Sequence, residues 1–154
     1  MDYELQEGGI ALPAGFEDRT VNMFVLGTSV PAPLSITISR DTLLPDEALQ
    51  AYVDRQVKML TSKLRGYTRL GNKAVALSAT APIAGIQIDA YHMNQGRPLY
   101  QRQAAFIISP GRALIFSTTA QADFSAQQNQ DWDNLLASFT PRTPVSRSEP
   151  GEQE

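Results

Sequence analysis

The strongest constraint on the fold lies between Tyr67 and Ala120. There the sequence reads as four extended segments, about Tyr67–Ala79, Ile83–Met93, Leu99–Ile108 and Ala113–Ala120. Asn94-Gln95-Gly96 marks one turn between them. Ser109-Pro110-Gly111-Arg112 marks another, because proline followed by glycine is what a type II turn requires. Connections this short join strands antiparallel, since a parallel crossover needs a dozen or more residues. The segment is therefore expected to be an antiparallel meander.

Two further strands precede it. Thr20–Leu26 places Val21, Met23 and Val25 on one face, with Phe24 and Leu26 on the other. Leu34–Ser39 alternates more cleanly: Leu34, Ile36 and Ile38 face one way and hydroxyls the other, with Pro31 and Pro33 breaking the chain before it. Pro45-Asp46-Glu47 is expected to open a helix running to about Lys63. Proline suits the first turn and acids suit the positive end of the helix dipole. Leu49, Val53, Val57, Leu60 and Leu64 form its apolar stripe, and Gly66 follows its end. A last helix spans about Ser125 to Phe139, with Trp132, Leu135, Leu136 and Phe139 on its buried side and Asp123 or Ser125 as its cap. The layout is α+β: a curved antiparallel sheet with two main helices.

A chain of 154 residues is about one domain, able to hide roughly 70% of its unfolded surface. Residues 1–140 are expected to form that domain. The tail from Pro141 to Glu154 is rich in Pro, Ser, Glu and Gln, has Val145 as its one aliphatic residue, and reads as disordered. The N-terminus carries acids where a secretory signal needs basic residues, and no stretch approaches the ~18 apolar residues of a membrane helix. The expected home is the cytoplasm, with no membrane anchor.

Composition removes several kinds of chemistry. The sequence has no cysteine, which excludes disulfides, thiol catalysis and thiolate metal sites. One histidine excludes a multi-histidine metal centre. A net charge of -3 supplies no basic field for nucleic acid. His92 sits beside a hairpin turn, where a solvated or locally bonded role is the plain reading. No serine lies in a nucleophile elbow, no phosphate loop occurs, and Asp131 and Asp133 point in different directions on their helix. No enzyme and no cofactor are expected.

Glutamines are the informative residues. Gln56 falls in the row Leu49, Val53, Gln56, Leu60, and Gln101 and Gln103 share a strand face with Leu99, Ala105 and Ile107. A primary amide carries two donors and a carbonyl acceptor, and burying one unpaired costs on the order of 1–3 kcal/mol. Either these amides sit at edges and meet water, or they stud a concave apolar surface walled by Val21, Met23, Val25, Ile36, Ile38 and Leu60. Such a surface would grip an apolar or amphipathic helix.

The stretch from Leu12 to Phe24, Leu-Pro-Ala-Gly-Phe-Glu-Asp-Arg-Thr-Val-Asn-Met-Phe, is followed by the Ile-rich strand, the Pro45-Asp46-Glu47 helix and the meander. Over residues 1–140 this arrangement resembles the DcrB-related domain family, and within it the Eag-type chaperones of type VI secretion effectors. The resemblance implies a Mog1/PsbP-like fold and a homodimer. It also implies a cytoplasmic chaperone that shields the N-terminal transmembrane helices of a toxic effector and hands it to the secretion spike. The family's groove maps onto Met23 and Val25, with Val21 beside them, Ile36 or Ile38, Gln56 and Leu60, and Gln101 or Gln103. The alternatives are an adaptor for a folded protein partner and a carrier of a small hydrophobic molecule.

Overall fold

Turn chemistry sets the register of the sheet. In the computed structural model, which describes residues 2–29 and 33–142, Gln95 and Gly96 both have positive φ, 53° and 78°. That is the type I′ geometry whose twist matches paired strands. It joins β6 (Ile83–Asn94) to β7 (Arg97–Ser109). The Pro110-Gly111 turn joins β7 to β8 (Arg112–Ala120), and β5 (Thr68–Leu77) pairs with β6. With β3 (Asn22–Val25) and β4 (Leu34–Thr42) they form one six-stranded antiparallel sheet, ordered β3-β4-β8-β7-β6-β5. The architecture is α+β, as the alternation and turns predict.

The two helices cover opposite faces. Helix α1 (Leu49–Lys63) lays Tyr52 and Val53 on Ile88, Ala105, Ala113 and Ile115. Helix α2 (Ala126–Ala137) lays Trp132 and Leu136 on Leu77, Ala104, Phe106, Leu114 and Phe116. Alternate residues of β7 and β8 therefore feed two separate cores, which is why residues 104–108 and 113–116 read as continuous apolar runs. At Gly85 the strand has no room for a side chain, because an added Cβ would lie 2.3 Å from the Phe106 ring.

Two sequence expectations change. Helix α1 begins at Leu49, four residues after Pro45, and its first turn holds no acid. Asp46 instead takes φ 60°, and Glu47 acts as a clasp. Its carboxylate accepts from the Leu44 N–H at 3.0 Å and from Nε and Nη2 of Arg55, each at 2.8 Å. The charge serves the loop and one turn of helix, not the helix dipole. At the N-terminus, β1 (Asp2–Glu4) and β2 (Gly9–Ala11) form a small hairpin that the sequence did not announce. It is tied to the body through Tyr3 Oη and Thr20 Oγ1, 2.7 Å apart. Of the two candidate caps of α2, Ser125 fills the role, in a reciprocal box with Gln128. The tail expected from Pro141 lies outside the described residues beyond Arg142.

Candidate functional site

Antiparallel pairing decides which side chains share a face. Met23 pairs with Thr37 and Val25 with Ser35, whereas Phe24 pairs with Ile36 and Asn22 with Ile38. Met23 and Val25 therefore point to the α1 side. Ile36 and Ile38 point to the α2 side, where Ile38 packs against the Phe116–Trp132 core. The expectation that all of them wall one surface is corrected on this point. The side of β4 that accompanies Met23 and Val25 is its hydroxyl side.

Helix α1 does not cover that side completely. It starts next to Leu43, whose N–H donates to Gly111 O, and ends where the Met93 N–H donates to Arg65 O. Between these anchors it crosses β8, β7 and β6 obliquely, touching Ala113 and Ile115 at one end of β8. Left open are β3, β4, the second half of β8 and the first half of β7. We call this uncovered strip of sheet between β3 and α1 the trough. One border is the edge strand β3, with Met23 67% and Val25 56% exposed. Val21, just before β3, is also exposed. The other border is α1 with Gln56 and, one turn on, half-buried Leu60. The floor comprises Ser35, Thr37, Ser117, Thr119, Gln101 and Gln103, all half-buried and uncharged.

Gln56 and Gln103 meet in a cleft of about 160 Å³ at the foot of α1, lined also by Ser39, Asp41, Tyr52 and Ile115. Gln101 lies on the same face two residues earlier. Among the described residues none of these three amides has a side-chain hydrogen bond inside the chain. Gln87, on the α2 side, shows the contrast: its Oε1 accepts from Trp132 Nε1 at 2.9 Å and its Nε2 donates to Asp89 Oδ1 at 3.3 Å. Asp89 in turn accepts from Nε and Nη2 of Arg102 at 2.9 and 3.0 Å, and Arg102 stacks on Phe124. Gln87 is consumed internally, whereas Gln56, Gln101 and Gln103 remain available.

The cleft also contains a pair that the sequence did not signal. Tyr52 Oη donates to Asp41 Oδ2 at 2.7 Å, and burial followed by that carboxylate pushes the phenol above its ordinary range. A phenol held protonated in this way fixes α1 to β4 and is no base. Among the described residues no group of three or more His, Asp or Glu is placed to hold a metal, and no helix is long and apolar enough to cross a membrane.

The sequence profile of the DcrB family matches residues 7–138. The chain belongs to that family. This DcrB-family protein is 27% identical over 141 residues to the Pseudomonas aeruginosa protein named Effector EagT6, covering 91% of this chain and 95% of that one. It is similar to the crystal structure of PA94, a Pseudomonas aeruginosa protein of unknown function, with a TM-score of 0.72, 25% identity and coverage of 93% and 97%. The LpqN structure of Mycobacterium tuberculosis, a protein involved in cell envelope biogenesis, shares the fold at a TM-score of 0.51 and 16% identity, with 81% and 85% covered.

Proposed function

We propose that this DcrB-family protein is a cytoplasmic chaperone of a type VI secretion effector and that its trough shields the effector's N-terminal transmembrane helices. The observation that carries this reading is the trough itself: an exposed apolar edge strand, an uncharged floor and three amides without internal partners. The similarity to Effector EagT6 supports the secretion context.

The physics is that of a surrogate bilayer neighbour. A membrane helix needs about 20 apolar residues, and each large side chain left in water forgoes roughly 1.5–3 kcal/mol of burial. Met23, Val25 and Leu60 supply apolar contact. Gln56, Gln101 and Gln103 supply the interhelical hydrogen bonds that Ser, Thr, Asn or Gln of a membrane helix would find in a bilayer. Val21 extends the lip of the trough. Ile36 and Ile38 act from the other face, as the support behind β4. A single trough covers only one side of a helix, so two copies clasping the load complete the shield, and the working unit is a homodimer. The role is not catalytic.

The test is co-purification with an effector encoded beside the gene. The full effector should be retained, and the same effector without its N-terminal apolar segment should be lost. Equal recovery of both would remove the proposal and favour an adaptor for a folded partner.

A further inference from the structure

The floor of the trough is organised in rows. Across the sheet, Val25 pairs with Ser35, Ser35 with Thr119, and Thr119 with Gln101. Two residues along, Met23 pairs with Thr37, Thr37 with Ser117, and Ser117 with Gln103. Each row therefore reads apolar lip, hydroxyl, hydroxyl, amide. Neither row contains a charge.

We propose that these rows read the bound helix for a stripe of small hydroxyl-bearing residues at i and i+4, an inference that rests on the function proposed above. Three strand spacings separate lip from amide, about 14 Å, which accommodates a helix of roughly 10–12 Å diameter lying along the strands. The rows are two strand residues apart, about 6.7 Å, close to the ~6 Å rise between helix positions i and i+4. A helix in this orientation sets one position over each row. Large aliphatic side chains there would cover hydroxyls without pairing them, which carries a desolvation penalty. Serine, threonine or glycine lets the helix approach closely, and the first two pair. The hydroxyls have the capacity. Ser35 Oγ and Thr119 Oγ1 are 2.8 Å apart, so the pair spends one proton internally and keeps one for a ligand. Among the described residues Thr37 and Ser117 have no side-chain hydrogen bond at all.

The experiment uses the whole protein and two synthetic 20-residue Leu/Ala helices with lysine ends in mild detergent. One is plain and one carries serines at i and i+4. Two additional hydrogen bonds should favour the serine helix about tenfold. Ser35→Ala, Thr37→Val, Ser117→Ala and Thr119→Val together should bring the preference close to unity, read as the ratio of the two affinities in the same variant. Should that quadruple variant fail to fold, Ser117→Ala alone should reduce the preference to roughly threefold, the loss of about half the pairing. Equal binding of both helices by the native protein, or a preference that survives these substitutions, overturns the inference and leaves the chaperone reading standing. Binding of neither helix overturns both.

Discussion

Val25 is the residue at which exposure and function can be separated most cleanly. It is 56% exposed in the free protein, so an aspartate there stays hydrated and should change stability by no more than about 0.5 kcal/mol. In a loaded trough the same carboxylate is stripped of water. Val25→Asp should therefore keep the native melting temperature and lower effector recovery several-fold. A variant that loads normally would remove Val25 from the wall. Glu47 gives a pH prediction of a different kind. Its hydrogen bonds from Arg55 are the main cause that lowers its pKa from 4.5 to about 2. Its contribution to stability is complete above pH 4.5 and is lost as pH falls towards 2. Denaturant midpoints measured between pH 5 and 2 should fall less steeply in Glu47→Gln than in the native protein. Parallel curves would show that the clasp is energetically silent. Residue-level reading of the sequence singled out Met23, Val25 and the three glutamines as candidates, because apolar or amide side chains in the wrong company are visible without coordinates. It missed the hydroxyls of the floor. Leu34-Ser35-Ile36-Thr37-Ile38-Ser39 displays both faces equally, and only the pairing of Val25 with Ser35 tells which face accompanies β3.

At the scale of elements, the meander was legible because period-two alternation and two turn signals agree over more than fifty residues. The start of α1 was not. Pro45-Asp46-Glu47 has the composition of a helix N-terminus, yet Asp46 adopts a left-handed turn and Glu47 turns back to Leu44. Local chemistry of this sort serves a turn or a helix start equally well. The N-terminal hairpin was missed because its strands are three residues each, too short to show a period. Gly85 on β6 has no room for a side chain. Gly85→Ala would press a methyl group into the Phe106 ring and should cost about 1–3 kcal/mol, measurable by denaturant titration. A neutral result would mean that the ring moves aside freely. The cap of α2 is a milder case. Ser125→Ala removes the acceptor of the Gln128 N–H and should cost about 1 kcal/mol.

For the molecule as a whole, the decisive property is the inequality of the two faces. Under α2, Arg102, Asp89, Gln87 and Trp132 satisfy one another, and the core beneath them contains Phe106 and Leu77 at 0% exposure, although Phe24 of β3 stays exposed on that side. The α1 side is left incomplete by the oblique run of its helix. Sequence alone predicted a sheet with two helices but not which face each would cover, because that depends on crossing angles rather than on periodicity. It also placed Ile36 and Ile38 in the trough, where the register puts Ser35 and Thr37 instead. The central claim is that the bound apolar helix lies between β3 and α1. A photo-crosslinking residue introduced in turn at positions 23, 56 and 133, in protein co-expressed with the full effector, tests it directly. Positions 23 and 56 should give adducts that map to the effector's N-terminal apolar segment, and position 133 on α2 should give none. Adducts from position 133 alone, or adducts from the trough to any other part of the effector, would contradict the account.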